Sequence, residues 1–202
     1  MRLILASSSK TRKTLLSRIC GDTFEILHPN IDETQKNQED PGELSKRLSA
    51  EKAFKIAKSN NDAVVIGSDQ VAFCDGKILG KTNTLDDAFN QITWQVGKET
   101  KFFTGLALVR NGGQEIQNTV VISQVFYRGN DFIDENLIRS YLQKENPLNC
   151  AGSTKFEGQG ICFLEKIETQ DPSALMGLPL ITLCTFFRKW DIPPFSKLET
   201  FS

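Results

Sequence analysis

Leu3-Ile4-Leu5-Ala6 is an unbroken apolar run that stops at four polar residues, Ser7-Ser8-Ser9-Lys10, before Leu15, Leu16 and Ile19 recur at helical spacing. So short an apolar run with turn residues behind it reads as a buried strand, and residues 11 to 19 read as a helix. The chain therefore opens as strand, polar turn and helix, and its core must combine both element types. Ala63-Val64-Val65-Ile66-Gly67 repeats the buried-strand signal further on.

Between these runs, Pro41-Gly42 opens a helix that presents Leu44, Leu48, Phe54 and Ala57 through Lys58. After Ser68-Asp69-Gln70 come Val71-Ala72-Phe73, the Asp75-Gly76 hairpin signal and Lys77-Ile78-Leu79, which puts Asp69 at a strand end or crossover. Thr84 as cap, Asp86 and Asp87 in the first turn and Gly97 as stop frame a third helix. Strands over 102–109 and 120–126, split by the turn Asn111-Gly112-Gly113, predict an antiparallel pair. A helix over 134–143, a small-residue loop from Cys150 to Gly160, a strand over 161–167 and an apolar helix over 174–190, which Pro179 should kink or start, complete the reading. These local patterns establish mixed α and β and no more. With 202 residues and no linker or repeat, the chain reads as one domain over 1–192 and a loose tail over 193–202.

Lys+Arg 24 against Asp+Glu 25 leaves a net charge of −1, so the long-range field that draws a protein onto nucleic acid or anionic lipid is missing. Any phosphate bound here has to be held by a local cluster. No stretch approaches the ~20 apolar residues of a membrane span, and the N-terminal apolar run is too short for a signal peptide, so a cytoplasmic protein is expected. Cys20, Cys74, Cys150, Cys162 and Cys184 are odd in number, widely spaced and without a CxxC pair, which predicts reduced, mostly buried thiols. His28 beside Pro29 has no partner that would make it a ligand or triad member, and reads as a surface or loop residue.

Three groups could carry chemistry. Ser7-Ser8-Ser9-Lys10-Thr11-Arg12-Lys13 feeds a helix N-terminus, where backbone N–H groups, the helix dipole and Arg12 make an anion site; ordinary capping with a basic solvated face is the other reading. Asp32-Glu33 in a loop and Asp69 beyond a strand can hold a hard divalent cation or take a proton from water, or serve as caps and turn residues. Lys52 inside Ala50-Glu51-Lys52-Ala53 and Lys81 inside Leu79-Gly80-Lys81-Thr82 are cations in unusual settings, or surface charges. Gly80-Lys81-Thr82 is not a phosphate-loop lysine motif, because the first glycine would fall on Asp75; Gly97-Lys98 fails likewise, with Glu99 and Ile92 at the required places. Together the groups describe a site for a phosphate-rich small molecule and name no reaction.

The order of these segments resembles the Maf family. Leu3-Ile4-Leu5-Ala6-Ser7-Ser8-Ser9-Lys10-Thr11-Arg12, Ile31-Asp32-Glu33-Thr34, Glu51-Lys52-Ala53, Ile66-Gly67-Ser68-Asp69-Gln70-Val71, Leu79-Gly80-Lys81 and Phe103-Thr104-Gly105-Leu106 fall in the family's order from Leu3 to about Trp190. Gln70, the segment Cys150 to Gly158 and Gly177-Leu178-Pro179-Leu180 are similar to the 7-methyl-GTP pyrophosphatase subgroup. The resemblance implies a Maf/ITPase-like α/β fold, an elongated mixed twisted sheet flanked by helices, with two lobes around a cleft, and a homodimer. It implies a house-cleaning hydrolase that cuts a nucleoside triphosphate to monophosphate and pyrophosphate. In it Asp69 would accept the proton, and Lys52, Lys81 and Arg12 would grip the triphosphate beside Ser7 and Ser9. A divalent cation (Mg, Mn or Co) would lie near Glu33 and Asp69, and Thr11, Gln70 and Glu157 would sort the base. A dTTP/UTP pyrophosphatase of the same family and a non-catalytic nucleotide-binding regulator of cell division are the alternatives.

Three positions depart from the pattern. The family's proline before the basic residues is Lys10 here, and the subgroup's tryptophan is Thr11, which removes an aromatic face worth roughly 0.5 to 2 kcal/mol to a cationic base. Thr82 stands where a proline usually follows the lysine, a change expected to loosen the turn while leaving Lys81 in place.

Overall fold

The apolar runs do become strands. In a computed structural model that describes residues 2–193, β1 (Arg2–Ala6) pairs in parallel with both β2 (Glu25–Leu27) and β3 (Ala63–Cys74). β4 (Lys77–Leu79) returns antiparallel on β3 through Asp75 and Gly76, both at positive φ (49° and 79°), as the two-residue hairpin signal requires. β5 (Glu99–Arg110) and β6 (Glu115–Tyr127) are neighbours joined by the turn at Asn111–Gly113, a connection too short for a parallel crossover, and β7 (Leu164–Thr169) pairs antiparallel with β6. The strand order is β2-β1-β3-β5-β6-β7, with β4 on β3, so the sheet is mixed and the α/β class holds.

Two compact units divide the chain. Of the described residues, 2–69, 104–121 and 171–193 form the first. In it, period-two alternation sends Leu3, Leu5, Val64, Ile66, Leu106 and Leu108 to one sheet face, against Leu15, Leu16 and Cys20 of α1 (Lys10–Cys20) and Leu183, Phe186 and Phe187 of α5 (Leu180–Lys189). Ile4, Ala6, Val65, Ala107 and Val109 take the opposite face, under Ala53 and Ala57 of α2 (Pro41–Ala57). Asp40 caps α2 by accepting from Gly42 N and Glu43 N, with Pro41 preset for the first helical position.

Residues 70–103 and 122–170 form the second unit. Its helices are α3 (Leu85–Gln95), capped by Thr84 through the Asp87 amide, and α4 (Glu135–Glu145), capped by Asp134 through the Leu137 amide. Phe102 meets Phe156 edge-on at 5.0 Å, and Tyr141 meets Phe163 at 4.8 Å.

Four readings are corrected. Asp69 lies inside a continuous twelve-residue strand, not at a strand end, because the Ser68 and Asp69 side chains find buried polar partners and neither has to leave the sheet for solvent. Residues 159–163 form a 3-10 turn and the strand starts only at Leu164; a Cβ on Gly160 would come within 2.6 Å of the Lys155 carbonyl oxygen, an approach open to glycine alone. The helix expected over 174–190 is a 3-10 turn over Pro172–Met176, a break at Gly177 (φ 92°), and α5, which Pro179 starts, one of the two effects expected of it. Cys20 and Cys74 are buried as expected, but Cys162 is exposed. His28 is exposed, as read. Of the tail over 193–202, all but Pro193 lies outside the described residues.

Candidate functional site

α2 touches the sheet backbone to backbone. A Cβ on Gly67 would stand 2.1 Å from the Ser49 carbonyl oxygen, and one on Gly105 would stand 2.2 Å from that of Ser45, so glycine in the strands and Ser45, Ser49 and Ala53 along the helix allow the approach. Asp69, two residues after Gly67 on β3, faces the same side and meets the helix residue next to Ala53. Lys52 Nζ lies 2.5 Å from Asp69 Oδ1 and 2.8 Å from Glu33 Oε1. The Lys52 and Asp69 side chains are 7% and 10% exposed, so this ammonium is no surface charge; Glu33, at 47%, comes from the loop before α2.

Ser68 turns to the other face, where its hydroxyl lies 2.8 Å from each of the Gly105 and Gly177 carbonyl oxygens and shares its one proton between them. Arg12 Nε donates to the same Gly177 oxygen at 2.7 Å. Burial pushes the Arg12 guanidinium below its ordinary value, while the charges of Asp69 and Glu33 pull it back up, and it stays a cation. Ser9 is the N-cap of α1 and accepts from Arg12 N at 3.3 Å; the buried Ser7 hydroxyl accepts from Ser9 N at 3.1 Å. The capping reading of this turn is thus correct as far as it goes. Thr11 is half-buried in the first turn of α1.

Gln70, Lys81 and Glu157 belong to the second unit. Gln70 is half-buried on β3. Lys81 is exposed on a loop anchored on both sides, by Gln91 Nε2 to Gly80 O at 3.0 Å and by Thr82 N to Leu148 O at 3.2 Å. The Thr82 bond is one that proline could not make, so this departure ties the turn instead of loosening it. Glu157 is exposed on the loop after Cys150. Burial first and Glu157 next push the Cys150 thiol up, while Lys155 and Lys81 pull it down, so both loops act on one point.

Within the first unit, the structure brings Arg12, Glu33, Lys52 and Asp69 into one electrostatic group. Gly67, Ser68, Gly105 and Gly177, which hold that group in place, stand in the family-like segments, but the sequence assigns them no role. The repeat Ser45, Ser49, Ala53 at every fourth position was the legible signal for a close helix-to-sheet contact. Among the described residues no three His, Cys, Asp or Glu side chains gather as a metal cage. Two carboxylates converging on one nitrogen do fit a hard cation of the Mg²⁺ kind, which uses one or two carboxylates and completes its shell with water and substrate phosphate. An acid–base carboxylate, a buried ammonium and a guanidinium in one group can deprotonate water and stabilise anionic oxygen.

The profile of the family described as Maf-like protein matches residues 2–190. A "7-methyl-GTP pyrophosphatase" of Pseudomonas aeruginosa is 45% identical over 90% of this chain and 92% of its own length. One of Pseudoalteromonas atlantica is 40% identical over 98% of this chain and 100% of its own. Among solved structures, a HAM1 protein from Coxiella burnetii superposes with a TM-score of 0.52 at 13% identity, over 94% of this chain and 99% of that one, which is a likeness of fold. No helix among the described residues is long and apolar enough to cross a membrane.

Proposed function

Because this chain belongs to the Maf-like protein family, we propose that it is a nucleoside triphosphate pyrophosphatase acting on 7-methyl-GTP, releasing the monophosphate and pyrophosphate. The observation that carries the reading is Lys52, nearly buried, gripped by Asp69 and Glu33. Asp69 takes a proton from the attacking water as its oxygen bonds to the α-phosphorus, and the bond from that phosphorus to the bridging oxygen breaks. Lys52 and Arg12 stabilise the charge that spreads onto the phosphate oxygens, as preorganised cations do without reorganising during the reaction. Lys81 is assigned to the triphosphate as well, with Ser7 and Ser9 lining the turn before Arg12. A divalent cation (Mg²⁺, Mn²⁺ or Co²⁺) held by Glu33 and Asp69 would supply further neutralisation of phosphate charge.

Thr11, Gln70 and Glu157 are assigned to the base. An exposed carboxylate at 157 suits the positive charge that N7-methylation places on guanine, and Thr11 offers a hydroxyl with no aromatic face. A cytoplasmic homodimer without nucleic-acid or membrane partners belongs to the same reading, supported on the last two counts by the net charge of −1.

The test is a panel of 7-methyl-GTP, GTP, dTTP and UTP with Mg²⁺, Mn²⁺ or Co²⁺ and pyrophosphate detection. Preference for 7-methyl-GTP over GTP by roughly tenfold or more, about 1.4 kcal/mol, is expected. Preference for dTTP and UTP would move the chain to another substrate of the family. Tight nucleotide binding with no product would instead make it a non-catalytic regulator.

A further inference from the structure

Glu33 sits on an exposed loop outside any helix or strand, yet its carboxylate is delivered to Lys52. The loop is fastened by a residue the reaction does not use. Arg47, on α2 five residues before Lys52 and so about 7.5 Å back along the helix, is only 16% exposed. Its Nε and Nη2 take the two oxygens of Glu39 at 2.6 and 2.8 Å, the planar fork matching the carboxylate. Nη2 also donates to the Thr34 carbonyl at 3.1 Å, and Nη1 donates to Glu51 at 3.0 Å.

The loop then knots on the residues Arg47 holds. Glu39 Oε2 accepts from Lys36 N at 3.0 Å, the Glu39 carbonyl accepts from Gln35 Nε2 at 2.7 Å, and Asp32 Oδ1 accepts from Thr34 N at 2.9 Å. Thr34, gripped by Arg47, is the residue after Glu33. The segment from Asp32 to Glu39 is therefore pinned to α2 through the buried Arg47 fork and through the Lys52–Glu33 pair, with a longer, exposed Lys36–Glu51 ion pair at 3.8 Å beside them.

We propose that Arg47 is a positioning residue which, by clamping Glu39 and Thr34 to α2, holds Glu33 against Lys52 in the geometry the reaction uses. The proposal rests on the functional reading above. A residue that only stabilises the fold would lower activity equally whether or not Glu33 is present; a residue that acts through Glu33 would not.

The experiment is a double-mutant cycle in the full chain: Arg47→Ala, Glu33→Gln and the pair, with kcat/KM on 7-methyl-GTP. Arg47→Ala alone should lower it roughly 10- to 100-fold, and should cost less than about threefold in the Glu33→Gln background. Hydrogen exchange gives the second readout: in Arg47→Ala the amides of Thr34 and Lys36 should exchange at least about tenfold faster, with those of β3 unchanged. If Arg47→Ala fails to fold, Glu39→Gln breaks the same fork and is read in its place. Equal losses in both backgrounds, or exchange over residues 34 to 39 unaltered, would overturn the proposal. A wild-type chain that hydrolyses none of the triphosphates sinks the functional reading instead; the cycle is then read on nucleotide affinity, with the same two outcomes deciding Arg47.

Discussion

Gly67 lies under Ser49 so closely that an added methyl group would sit 2.1 Å from its carbonyl oxygen and 2.9 Å from the Ala53 nitrogen. Those are helix backbone atoms, which cannot swing aside as a side chain can. Gly67→Ala should therefore lift α2 off the sheet and cost about 1 to 3 kcal/mol or more by overpacking, near 2–4 °C of Tm per kcal/mol for a chain of this size. Lys52 rides on that helix, so kcat/KM should fall with Tm. Thermal unfolding beside steady-state kinetics checks both, and an unaltered Tm would contradict the contact.

Asp69→Asn keeps the shape and an acceptor for Lys52 but cannot take a proton from water. Its kcat should drop by roughly 10² to 10⁴ with Tm within a few degrees of wild type. Lys52→Met should also abolish most turnover, and in addition cost about 1 to 3 kcal/mol, because it strips the partner from a carboxylate only 10% exposed. Kinetics and urea unfolding on the two variants separate the roles, and turnover near normal in Asp69→Asn would remove the proposed base.

How much of the fold and the site is legible in the sequence differs between elements for physical reasons. The β1 strand and α1 are readable because an apolar run, a polar turn and a helical period succeed one another with nothing competing. Asp69 is easily misplaced because Ser68-Asp69-Gln70 looks like an interruption; the strand continues since Ser68 reaches two carbonyls and Asp69 reaches Lys52, partners 37 to 109 and 17 residues away. No local pattern carries that information. Lys52 looks like any helix lysine for the same reason, until the small residues around it let the helix close on the sheet. The break at Gly177, by contrast, is signalled by Gly177-Leu178-Pro179 and is masked by the strong apolar period that Leu180 begins.

The Arg47 fork holds the Glu39 carboxyl down to about 2, from an ordinary 4.5, chiefly through its hydrogen bonds. A carboxyl whose folded value is depressed stabilises the fold above its unfolded value and loses that contribution as pH falls through the folded one. The contribution of this pair is therefore complete above about pH 5 and lost between about pH 4.5 and 2. Other carboxylates titrate in that window, so the comparison is with Glu39→Gln. Wild type should be the more stable at pH 6, by about 1 kcal/mol, and the two urea midpoints should converge only as pH falls to about 2. A difference independent of pH would show that the charge plays no part.

Gln95 is fully buried at the end of α3, and each of its polar atoms is used: Nε2 donates to Gly152 O at 2.8 Å and to Gln91 O at 3.0 Å, and Oε1 accepts from Thr100 at 3.1 Å. Gln95→Leu fills the space but takes the amide acceptor from the fully buried Thr100 hydroxyl, leaving it only the weaker Cys74 thiol as a partner, and deprives the Gly152 carbonyl of its shorter bond. Leaving such groups poorly paired costs more than the bonds themselves contributed, so a loss of about 2 to 4 kcal/mol is expected. Adding Thr100→Val removes the hydroxyl that lost its amide acceptor, and the double variant should then be more stable than the sum of the single losses implies. Gly152 opens the loop that carries Glu157, so Gln95→Leu should also narrow the preference for 7-methyl-GTP over GTP while leaving kcat on the better substrate within about threefold. Urea unfolding of the four chains and the ratio of kcat/KM values test the two halves separately. Additive losses would mean that Gln95 and Thr100 do not depend on each other, and an unchanged ratio would free the base-sorting role of Glu157 from this network.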